Sequence, residues 1–80
     1  MSRVPRPFVV FGFGSTHDAL EAEDLLRDAD IEVVPIPAPP ALGALCGIAL
    51  RVPETAAEQA HCQFAEGGIE PSGIIRMDDV

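Results

Sequence analysis

The sequence predicts an α+β fold in which two helices cover one face of a four-stranded antiparallel sheet, and three observations predict it. Four short runs are apolar and rich in β-branched or aromatic residues, as strands require. Two longer stretches set small and apolar residues at helical spacing behind recognisable start signals. The order is β-α-β-β-α-β, and a proline-rich bend rather than a helix joins the second strand to the third. That order is the split, ferredoxin-like arrangement.

Each element has its own signature. Pro7-Phe8-Val9-Val10-Phe11-Gly12-Phe13 is apolar on both faces, as a central strand under helices would be. Gly14-Ser15-Thr16-His17-Asp18 opens the first helix, with Ser15 or Thr16 as its cap and Asp18 in its first turn. Ala19, Ala22, Leu25, Leu26 and Ala29 make an apolar stripe over about four turns, while Glu21, Asp24 and Asp28 point elsewhere. Ile31-Glu32-Val33-Val34-Pro35-Ile36 reads as the second strand, and Pro35 places it at a sheet edge. A loop follows from Pro37 to Gly43, and Cys46 to Val52 form the third strand. Pro53-Glu54-Thr55 opens the second helix, with Ala57, Ala60, His61 and Phe64 on one stripe and Gly67-Gly68 as its stop. Ile74-Ile75-Arg76-Met77 is a short last strand, and Asp78-Asp79 an acidic tail.

Eighty residues make one domain, 1–80, with a small core. A hydrophobic content of 48% is enough to fold it. The formal net charge of -8 argues against nucleic acid and against an anionic membrane surface. A basic partner protein or a small ligand fits this charge better. The two cysteines, Cys46 and Cys62, fall short of a disulfide framework, and the apolar run after Arg3 and Arg6 is too short for a signal segment. A cytoplasmic location with reduced thiols is expected. No residue cluster has metal spacing and no phosphate loop is present, so no cofactor is expected. Gly12-Phe13-Gly14 lacks the third glycine of a nucleotide fingerprint and is read as a strand-to-helix turn.

By elimination, Cys46 is the candidate reactive group. Strands one and two run one way and strand three returns, so the loop before Cys46 shares an end of the sheet with the start of helix one. That helix start offers unpaired N–H groups and partial positive charge, which favour a thiolate. Gly14, Ser15, Thr16 and the neighbouring backbone are expected to donate to a sulfur anion, with Gly47 beside the thiol and His17 adding charge or a proton. The bland readings stand next to these. Cys46 shares a strand face with Ile48, Leu50 and Val52 and would serve equally as a small core residue. Gly47 would permit close strand contact, and His17 would be an ordinary polar residue of a first turn. Arg51 is expected in a surface salt bridge, and Cys62 off the core stripe with no resolving role. Glu21, Glu23, Asp24, Asp28 and Asp30 read as a solvated helix face.

The run Ser15-Thr16-His17-Asp18-Ala19-Leu20-Glu21-Ala22-Glu23, then Leu25-Leu26 and Ile31, the proline-rich bend, Cys46-Gly47-Ile48-Ala49-Leu50-Arg51 and Gly68-Ile69-Glu70 together resemble the DUF3343 family of selenium or sulfur carrier-like proteins. The resemblance runs from about Phe8 to Ile75. It implies a carrier, not an enzyme, that holds the atom on Cys46 as a persulfide or selenosulfide and passes it on by thiol exchange. A persulfide- or selenide-supplying enzyme and an acceptor protein are the partners it implies. The chain departs from the family pattern at Pro40, where an arginine is common, and at Gly43-Ala44-Leu45, where serines are. The competing reading is a ferredoxin-like interaction or small-ligand module in which Cys46 only packs. Apolar residues on both faces of strands one and three add a further expectation: a homodimer through the open sheet face, or docking there onto a larger partner.

Overall fold

Period-two alternation sorts the strands' side chains onto two faces, and only one of those faces meets the helices. The computed structural model describes residues 6–39 and 47–79. Its elements are β1 (Arg6–Gly12), α1 (Thr16–Asp28), β2 (Val34–Pro37), β3 (Ile48–Pro53), α2 (Glu54–Glu66) and β4 (Gly73–Asp79). The sheet order is β2-β3-β1-β4, antiparallel throughout, which is the ferredoxin-like α+β fold.

Phe11, Leu50 and Val52 face the helices and are buried there with Phe13, Ala19, Ala22, Leu26, Ala60 and Phe64. Phe64 organises this layer. Its ring meets Phe11 edge-on at 5.1 Å between centroids and Phe13 edge-on at 5.5 Å, the geometry aromatic quadrupoles favour. Val10 and Ala49 form a second, smaller cluster on the opposite face, with Ile36, Ala38 and Ile75 packed against it.

Three strand boundaries and the buried stripe of α2 differ from expectation. β2 begins at Val34 rather than Ile31, because the Ile31 N–H is bonded to Leu26 O at the end of α1. Ile31 and Val33 still contribute to the core, but outside the ladder. β4 runs through Asp79 instead of ending at Met77, since β1 starts at Arg6 and pairs Arg6 with Asp79 and Pro7 with Asp78. β1 ends at Gly12, and Phe13 enters the turn as a fully buried core residue. In α2 the buried residues are Ala60 and Phe64, backed by Ala56 and Ala57, while His61 is exposed. The expected loop and strand positions from Pro40 to Cys46 lie outside the described residues.

Candidate functional site

β1 and β2 run in one direction and β3 and β4 in the other, so the ends of the first pair and the starts of the second share one edge of the sheet. The register is specific about this. Gly12 pairs with Ala49 on one side and with Gly73 on the other, and Pro37 pairs with Ile48. Ala38 N donates to Gly47 O at 3.0 Å, and Ser72 N to Gly12 O at 2.8 Å. Gly47 therefore lies at the same end as the Gly12–Ser15 turn that feeds α1. Cys46, the residue before Gly47, lies outside the described residues.

Ser15 is the helix cap, and Thr16 is the first helical residue. Ser15 is extended (φ -147°, ψ 156°) and its Oγ accepts from Asp18 N at 3.1 Å. Its carbonyl accepts from Ala19 N. The N–H groups of Thr16 and His17 have no acceptor among the described residues, as the first positions of a helix require unless a ligand supplies one. His17 Nε2 lies 3.4 Å from Glu21, one turn along an exposed helix face. A Cβ added at Gly14 or at Gly47 would meet nothing within 4 Å. Among the described residues, close strand contact thus does not account for Gly47.

A shallow apolar cavity of about 300 Å³ adjoins Gly47, lined by Pro35, Ile36, Pro37 and Ile48. The sequence offered no view of it, because it forms only once β2 pairs with β3. The alternating prolines of β2 were the available signal. Cys62 is exposed, in the later half of α2. Among the described residues no group of three or more His, Cys, Asp or Glu is placed to hold a metal. No helix among them is long and apolar enough to cross a membrane.

Two expectations at the periphery are corrected. Arg51 makes no salt bridge among the described residues; its guanidinium lies over the Phe8 ring, 4.4 Å from the centroid, on the face away from the helices. Asp30 is not part of the helix face but holds a left-handed turn after it, at φ 58°. Glu23 is tied to Arg27 along α1 at 2.9 Å, while Glu21, Asp24 and Asp28 are exposed as expected.

The fold defines a small α+β domain with an open sheet, in which the start of β3 and the start of α1 lie at one end. Residues 8–76 match the family described as "Putative Se/S carrier protein-like", and the chain belongs to that family. No curated protein and no solved structure matches the chain.

Proposed function

We propose that the protein carries sulfur or selenium on Cys46 and hands it to an acceptor by thiol exchange. The family match over residues 8–76 is the observation that carries this reading. The register adds physical support, since Gly47 and the unpaired N–H groups of Thr16 and His17 are at one end of the sheet. A thiolate attacking the outer sulfur of a donor persulfide forms the new S–S bond at Cys46 and breaks the donor's S–S bond. The donor leaves as a thiolate and takes up a proton, and no electrons are gained or lost overall. Transfer to the acceptor repeats the step with Cys46 as the leaving sulfur, and a selenosulfide follows the same course. Ser15, Thr16, His17, Gly14 and Gly47 are the groups that would surround the anion in this reading. Partial positive charge at the α1 start favours the thiolate in both steps, as attacker and as leaving group.

Intact-mass measurement after incubation with a persulfide donor tests the proposal. A sulfur adduct is expected on the wild type and on Cys62→Ser, and is expected to vanish in Cys46→Ser. An adduct that persists in Cys46→Ser, or none on the wild type with Cys46 inert to alkylation, would overturn it.

A further inference from the structure

The middle of the sheet face turned away from the helices is apolar across all four strands, yet Arg51 lies within it. Val34, Ile36, Val10, Ile75 and Met77 surround Arg51, and the register puts two further charged residues, Arg6 and Asp79, on the same face at its far end, four residues along from the Val10–Ile75 pair. Met77 and Val34 are exposed at its rim. Arg51 lies over the Phe8 ring, and its Nε is closed off from solvent with no hydrogen-bond partner among the described residues. No carboxylate among the described residues pairs with it, although the chain has thirteen acidic residues against five Lys and Arg. A desolvated guanidinium nitrogen without an acceptor is unfavourable by itself. An acceptor brought from outside would relieve that cost, and a planar fork suits a carboxylate best.

A second copy does not bring that acceptor. Turning one sheet onto another about an axis along the strands sets β3 over β1, so each Arg51 meets the Val10 row. Turning it about an axis across the strands sets β3 over β3, so the two Arg51 side chains approach each other. Either packing buries the two Arg51 guanidinium groups without a counter-charge at their own level, since Asp79 lies four residues along β4 from the Arg51–Val10–Ile75 row. The size of the face points the same way. Strand spacing and rise give it roughly 400 Å², against about 800 Å² per partner in a stable interface. Charge and area both fit a transient contact with a different protein.

We propose that this face docks a partner protein presenting an Asp or Glu carboxylate inside an apolar patch, that the carboxylate bonds to the Arg51 guanidinium, and that Arg51 keeps the free protein from stacking on itself. The inference goes beyond sulfur or selenium transport and does not depend on Cys46.

A displayed library of random peptides, selected on the immobilised wild-type protein, tests it. The enriched peptides are expected to share an acidic residue flanked by apolar ones. They should bind the wild type about tenfold or more tightly than Arg51→Gln, with amide shifts at Val34, Ile36, Ile75 and Met77. Met77→Glu, on the same face, should weaken them as well, while Leu20→Glu, exposed on α1, should leave them unchanged. Because Arg51 covers Phe8, the Met77→Glu arm decides the matter if Arg51→Gln fails to fold. In sedimentation the wild type is expected to be a monomer and Arg51→Leu to self-associate. Enriched peptides without an acidic residue, equal affinity for Met77→Glu, shifts confined to the helical side, or a wild-type dimer that Met77→Glu dissolves would each overturn the proposal. The last would identify a second copy as the occupant.

Discussion

Asp30 holds φ at 58°, alone among the described non-glycine residues in the left-handed region, and it does so to end a helix. The Asp30 N–H donates to Arg27 O and the Ile31 N–H to Leu26 O. α2 ends the same way at Gly68, φ 74°, where Gly68 N donates to Ala65 O and Ile69 N to Phe64 O. In both cases the following isoleucine folds back onto the core, 6% and 8% exposed, which completes a Schellman motif. Of the two stops, only Gly67-Gly68 was legible in the sequence. An aspartate tolerates the left-handed turn because its short side chain can bond locally, but its letter does not announce that turn. Reading Ile31 as strand rather than cap is what misplaced the start of β2. The motif predicts opposite shifts for two substitutions. Asp30→Gly should stabilise by up to about 1 kcal/mol, net of glycine's greater freedom when unfolded, while Gly68→Ala should destabilise by about 1–2 kcal/mol. Urea midpoints at constant slope read both. An unchanged Gly68→Ala midpoint would mean that the end of α2 is not held by this turn.

At the scale of elements, β2 shows how an edge strand is closed to further pairing. Val34 and Ile36 face β3 with their N–H groups, since Ala38 N bonds Gly47 O directly across the same ladder. Pro35 and Pro37 take the alternate, outward positions, where proline has no N–H to offer. The outer edge of β2 therefore presents no donor from Val34 to Pro37, a device that blocks edge-to-edge growth. Pro35 as an edge marker was legible in the sequence, whereas the in-out pairing that makes both prolines effective required the register. The opposite error occurred at β4. Asp78 and Asp79 have poor strand propensity, and pairing with Arg6 and Pro7 overrides it. For the candidate site, topology alone was enough to bring Gly47 to the end where α1 starts, while the cavity of Pro35, Ile36 and Pro37 beside it was not foreseeable. Replacing both prolines, Pro35→Thr with Pro37→Thr, restores two outward donors. The double variant is expected to aggregate faster in light scattering at equal concentration, with little loss of urea stability. Equal scattering from variant and wild type would show that the proline edge does not limit association.

For the whole molecule, charge balance rather than any one contact sets the response to solvent. Thirteen acidic side chains face five Lys and Arg, for a net charge of -8 on 80 residues. Among the described residues the ion pairs are few and exposed: Glu23 with Arg27, Glu54 with Arg76, and Glu21 with His17 when its imidazole is protonated. Exposed pairs of this kind contribute little, typically below about 1 kcal/mol each. The unpaired carboxylates crowd one small surface, and folding brings them closer than the unfolded chain does. Added salt shortens the screening length from about 10 Å at 0.1 M to about 3 Å at 1 M, so it weakens many long repulsions and only a few short attractions. Stability is therefore expected to rise with sodium chloride over that range, seen as an upward shift of the urea midpoint. Two controls locate the cause. Glu66→Gln, which removes an acidic charge at the C-terminal end of α2, should raise the low-salt midpoint and reduce its salt dependence. Arg27→Gln, which frees Glu23 and adds to the negative excess, should lower it and steepen that dependence. A midpoint that falls with salt, or two variants that move together, would mean that the local ion pairs outweigh the net repulsion.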